Sequence, residues 1–336
     1  MHLPEPRGPF TRALRADLTA GALSPATVDL ARRTAATCTD PLGDEDLQLA
    51  LAVCYELHYR GFAEVDDAWE WDPELIGLRA HLERRHTEAL RALVGDLEGT
   101  DEPVDRQLSA LVAADDGPSL SSFMARRGDL EQWREYLTLR SVYHLKEADP
   151  HTFAVPRLSG RAKAAMVEIQ ADEYGGGAPG RMHSELFAGL MRDLGLDAAY
   201  GALWDAAPAA AFASVNTMSL FGLHRRWRGA ALGHLAAVEM TSSEPSRRYS
   251  AGLRRLGFDE STTVFYDEHV EADAVHEQIA AVDVCGSLVA EEPDLAGDVL
   301  FGAACALAVD GLAATHLLGA WEAGRSGLRG QRPLAA

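Results

Sequence analysis

Apolar residues recur at steps of three and four through most of the chain, and runs that alternate apolar with polar between turn residues are nearly absent. That periodicity is satisfied by helices packed on helices, so the expected fold class is all-α. Start signals agree with it. Ser24-Pro25, Asp72-Pro73 and Ser243-Glu244-Pro245 each place a capping residue just ahead of a proline suited to a first turn. The pattern predicts helices over, among others, 8–21, 44–60, 128–147, 158–174, 180–194, 197–205, 226–241, 244–256, 259–285 and 291–323. A chain of 336 residues with 47% hydrophobic content can bury a substantial core. The acidic stretch over 95–118, punctuated by Gly99, Pro103 and Gly117, suggests a soft division. It separates an N-terminal helical extension over 1–115, serving packing or dimerisation, from a helical domain over 116–323. A flexible tail follows over 324–336.

Charge narrows the partners. Fifty-one acidic residues against 31 basic ones give a formal net charge of -20, which repels phosphate backbones and argues against nucleic acid or an anionic membrane. The longest apolar stretches, such as 47–55 and 301–309, fall far short of the roughly 20 residues that span a bilayer. No basic stretch followed by an apolar run opens the sequence, and a soluble, cytoplasmic protein is expected. Cys38, Cys54, Cys285 and Cys305 lack CxxC spacing and read as buried thiols. Trp69 and Trp71 in the N-terminal region suggest a packed face or a homodimer interface.

The residues that carry chemistry are His269, Asp273 and His276, spaced HxxxDxxH on a segment without helix breakers. At about 100° per residue, the fourth and seventh positions return to within ~40° of the first, so the three project from one stripe. Two imidazoles and a carboxylate without thiolate suit iron or manganese. An ordinary acidic helix face would contain the same residue types. Further carboxylates lie in otherwise apolar helical stretches: Glu168, Asp172 and Glu173, and Glu239. Burying a carboxylate there costs several kcal/mol unless a cation or hydrogen bonds compensate it. Glu239 reads equally as a helix-end residue. After Glu173, Gly175-Gly176-Gly177 should end or unwind the helix before a new one carries His183. Glu83 and His86 have the ExxH spacing of ferritin-like dimetal proteins, but flanking charge suggests a solvated face. Glu56 and His58 are two apart, cannot share a stripe, and read as structural.

Taken in order, Glu147, Glu173, His183, Glu239, His269, Asp273 and His276 resemble the ligand set of the haem-oxygenase-like diiron oxidases and oxygenases. The resemblance spans roughly 130–318. It implies a seven-helix bundle, here with the added N-terminal helical region, and two irons cycling between Fe2+ and Fe3+. Glu173 and His183 would bind one side of the cluster, Glu239 would bridge or chelate, and the HxxxDxxH helix would complete both positions. The long interval from Glu173 to His183 and the extra carboxylate at Glu147 resemble the family's N-oxygenating branch.

That branch implies activation of O2, the co-substrate, through a peroxo-bridged diferric species and N-oxygenation of a small amine or amino acid in specialised metabolism. An external reductant, or electron donor, is required, because no flavin or nicotinamide motif is present. Alternatives are oxidative carbon–carbon cleavage or desaturation of a fatty acid or amino acid at the same site, an iron-binding or storage protein, and a helical scaffold. Arg247 and Arg248 are offered as a clamp for a substrate carboxylate.

Overall fold

The computed structural model describes residues 1–330, and every regular element in them is helical. The chain begins with α1 (Pro9–Ala20), α2 (Pro25–Thr37), α3 (Glu45–Glu56), α4 (Pro73–Val94) and α5 (Val104–Ala113). It continues through α6 (Leu120–Arg126), α7 (Leu130–His144), the single turn α8 (Asp149–Thr152), α9 (Gly160–Glu173), α10 (His183–Asp193) and α11 (Ala209–Leu223). The last elements are α12 (Arg228–Arg255), α13 (Glu260–Gln278), α14 (Ser287–Glu291) and α15 (Ala296–Glu322). Side-chain caps start several of them: Ser24, Asp44, Asp72 and Asp129 each accept a hydrogen bond from the backbone N–H three residues on.

The centre of the molecule is α12, which packs along α13 on one side and α15 on the other. Small residues make the second contact close. A Cβ on Gly233 would lie 1.8 Å from the Val299 carbonyl oxygen, and one on Gly302 would lie 2.0 Å from that of Ala230. Two backbones therefore touch where these glycines cross. Gly233→Ala is expected to destabilise the fold by about 1–3 kcal/mol through overpacking, measured as a lower urea midpoint. The N-terminal helices pack on this bundle directly, α3 against α11 and α4 against α15.

The helices differ from the sequence expectation in four places. One helix runs through Pro245 where the pattern suggests two. Leu235, Ala236 and Ala237 before the proline and Tyr249 and Leu253 after it are all buried, and that packing outweighs one missing backbone hydrogen bond. The helix expected over 197–205 is a series of turns, broken by Gly195 and Gly201 at φ 76° and 77°. The helix expected over 259–285 is α-helical only to Gln278 and continues as a π-helix over Ile279–Gly286. Finally, the segment Pro293–Glu322 is long and apolar enough by length and composition to cross a bilayer, although Asp298 and Asp310 keep any unbroken apolar run in it short. Here it is a core helix, packed against α12, α11 and α4.

Residues at the start of the expected tail are tied down. The Gly327 N–H donates to Glu135 on α7 at 2.8 Å, and Arg329 pairs with Glu45 at 3.2 Å. Positions 331–336 lie outside the described residues.

Candidate metal centre

All seven residues singled out from the sequence are buried. The α13 stripe projects His269, Asp273 and His276 inward, as its spacing predicts. Glu173 is the last residue of α9, and His183 the first of α10. Between them Gly175, Gly176 and Gly177 all adopt positive φ. A Cβ on Gly175 would lie 2.5 Å from the carbonyl carbon of Arg181, so only glycine lets the loop fold back this tightly. The result places His183 Nδ1 3.0 Å from Glu173 Oε2.

Glu147 arrives differently. Helix α7 ends at His144, and the chain turns through Ala148, whose φ of 74° is the only positive value at a non-glycine among the described residues. Such a conformation costs on the order of 1–3 kcal/mol. The two residues before Ala148 reach different partners. Lys146 enters a buried ion pair with Glu56 of α3 at 2.9 Å, while Glu147 accepts from His144 Nδ1 at 2.7 Å and stands 3.7 Å from His269 Nε2.

Two overlapping groups of ligand atoms result, each within 4.8 Å of one another: Glu147, Glu173, His183 and His269 in the first, and Glu173, Glu239 and His276 in the second. Glu173 belongs to both, whereas the resemblance had Glu239 bridge or chelate. Asp273 borders the second group, 3.7 Å from His276 Nδ1. Outer hydrogen bonds orient the imidazoles. His269 Nδ1 donates to the Phe265 carbonyl at 2.6 Å, turning Nε2 to the carboxylates. His276 Nε2 lies 3.1 Å from Asp172, leaving Nδ1 to face Glu239 at 3.4 Å. Asp172 thus serves from the exposed side of α9, and Glu168 faces solvent.

The electrostatics are those of a cation site. Among the described residues, Glu147, Glu173, Glu239 and Asp273 pair with histidines and with no lysine or arginine. Glu147 Oε2, His183 Nδ1, Asp273 Oδ2 and His276 Nδ1 are buried without a hydrogen-bond partner, the state expected of atoms that ligate a metal. Burial alone would lower the His269 pKa, but Glu147, Asp273 and Glu173 raise it to about 10. Burial likewise opposes the carboxylates around His276, which prevail and raise it to about 11. Burial pushes Glu239 up to about 8 against the His276 hydrogen bond.

A histidine raised on folding adds stability that is complete below its unfolded value near 6.5 and is lost as pH climbs through the folded value. The metal-free protein is therefore expected to lose thermal stability between about pH 6.5 and 11, with a smaller loss in His269→Gln. Melting curves across that range check it.

A cavity of about 390 Å³ reaches this centre, lined by Glu147, Glu173, Glu239, His269 and Asp273 among others. Its two arginines are Arg140, paired with Asp310, and Arg248, which pairs with Glu244 and bonds the Ser119 and Ser122 hydroxyls. Arg247 does not line it and pairs with Glu244 at the surface. Adjacent helical residues point about 100° apart, so only one of the two could face inward. Arg140, His151, Gln170 and His234 line the cavity and were not singled out from sequence. His151 and His234 are 83 positions apart, and no spacing rule connects them.

Glu83 and His86 are not solvated but buried, and they are satisfied without a metal. Glu83 pairs with Arg79 and His224, and His86 bonds Gln48 and Thr217. The flanking charges Arg84, Arg85 and Glu88 lie on the outer part of α4, which misled the sequence estimate.

Residues 134–311, more than half of the chain, match the family described as iron-containing redox enzymes, whose fold is haem-oxygenase-like. The chain belongs to this family. As an iron-containing redox enzyme it is an oxidoreductase, and its all-helical architecture fits the haem-oxygenase-like bundle. Every residue of the two groups lies inside the matched region. The donor set, imidazole and carboxylate without thiolate, fits iron. No curated protein matches the chain.

Proposed function

We propose that this protein is a non-haem diiron oxygenase that uses O2 and an external reductant to oxygenate the nitrogen of a small amine or amino acid. The single observation that carries the N-oxygenating reading is the place of Glu147. The extra carboxylate that sets the resembling branch apart lies within 4.8 Å of the ligand atoms of Glu173, His183 and His269. Glu147, Glu173, His183 and His269 would hold one iron, and Glu173, Glu239 and His276, with Asp273 beside them, the other. Bound ferrous iron supplies the electrons that activate dioxygen.

The chain's own residues do the rest. Phe265 and Asp172 fix His269 and His276 with one ring nitrogen toward the cluster. Apolar Phe265, Leu235, Val238 and Met218 exclude bulk water from one part of the cavity wall. Ser121, Ser242, Ser246, Thr241 and Tyr249 add hydroxyls to the wall, which offer a small polar amine hydrogen bonds that an aliphatic tail could not use. Arg140 is the largely buried cation available to a substrate carboxylate, and its Nε has no partner.

Iron(II)-loaded protein incubated with O2, a reductant and a panel of amines and amino acids tests this by mass spectrometry. A product gaining oxygen on nitrogen supports it; loss of carbon dioxide with alkene formation would replace N-oxygenation by carbon–carbon cleavage.

A further inference from the structure

The same cavity opens on a second cluster of buried polar atoms that the metal centre does not use. His151 on α8 and His234 on α12 are 2% and 1% exposed, and His151 Nε2 stands 3.2 Å from His234 Nδ1. At that distance one nitrogen donates to the other, so at least one ring is neutral. Burial lowers both pKa values, that of His151 to about 4. The far nitrogen of the pair, His234 Nε2, is buried with no hydrogen-bond partner. Gln170 on α9, 5% exposed, shares this character. Thr152 Oγ1 donates to its Oε1 at 2.6 Å, and its Nε2 is buried without a partner. All three side chains line the cavity. Two such atoms on one cavity are free to bond a ligand that enters it.

The hydrogen-bonding roles of these atoms say which ligand. Where His234 Nδ1 donates to His151, the His234 Nε2 is an acceptor without a donor. An anion placed here would leave that nitrogen unsatisfied. A cation would face the donating Nε2 of Gln170. An amide-type group meets both needs: its carbonyl oxygen accepts from Gln170 Nε2, and its N–H donates to His234 Nε2.

We propose that the His151–His234 pair and Gln170 form a subsite for an uncharged carboxamide or ureido group. That this group sits on the molecule oxidised at the metal centre rests on the oxygenase reading above; the subsite itself does not.

Calorimetric binding to the anaerobic, iron(II)-loaded full chain tests it, using L-glutamine and L-citrulline against L-glutamate and L-norleucine. The amide and ureido probes are expected to bind at least about tenfold tighter than the other two. Gln170→Leu and His234→Phe should each remove about tenfold of that preference while iron stoichiometry stays at the wild-type value. Equal binding of all four probes, binding of none, or unchanged preference in both variants overturns the subsite and leaves it a place for ordered water only. Should the wild-type chain take up no iron, the oxygenase reading fails. The same comparison on the metal-free chain then still decides the subsite.

Discussion

Glu173→Ala is expected to abolish both metal positions at once, while His183→Ala removes only one. Glu173 is the sole residue common to the two groups of ligand atoms, and His183 belongs to the first alone. Anaerobic iron(II) titration should give two equivalents for the wild type, none held tightly by Glu173→Ala, and one by His183→Ala. Asp172→Ala makes a graded comparison, because it touches only the outer nitrogen of His276. Its loss should weaken iron binding about 10–100-fold without changing the stoichiometry. A Glu173→Ala protein that keeps one tight iron would show that the two groups are independent and that a different residue bridges them.

Lys146→Met is expected to produce the largest loss of stability of any single substitution considered. Lys146 and Glu56 are 3% and 0% exposed, and the pair is 2.9 Å apart. The Tyr200 hydroxyl reaches both Glu56 oxygens at 2.8 and 2.9 Å, and Lys146 lies 4.0 Å from the centre of the Tyr59 ring. Removing the ammonium leaves a buried carboxylate without its counter-charge, at a cost of about 3–5 kcal/mol. That lowers the melting temperature by on the order of 10 °C. The double variant Glu56→Gln with Lys146→Met should recover much of the loss, since the charge left behind is then absent. Because Glu147 follows Lys146 directly, the single variant should also weaken iron binding at the first group. A melting temperature within about 2 °C of wild type would mean that the pair contributes little and that the N-terminal helices do not brace this turn.

How much of this was legible in the sequence depends on the range of the interaction. The α13 stripe was legible because helical periodicity alone brings His269, Asp273 and His276 to one face, and the loop before His183 because three consecutive glycines admit positive φ. Caps at Ser24 and Asp72 were equally local. The sharing of Glu173 by both groups was not legible, because it depends on how α9, α10, α12 and α13 pack. Buried Glu83 and His86 were misread as solvated because Tyr55, Thr217 and His224, which satisfy them, come from distant segments. The same holds for His151 with His234, and for Lys146 with Glu56, ninety positions apart. Pro245 misled for another reason: a local stop signal lost to packing along the whole of α12.

The measurement that bears most directly on the central claim is anaerobic titration of the purified metal-free chain with iron(II), followed by rapid mixing with oxygenated buffer. Two irons bound per chain, with a transient visible absorption on mixing that is lost in His269→Ala, is the predicted result. A chain that binds no iron(II) under these conditions would contradict the account.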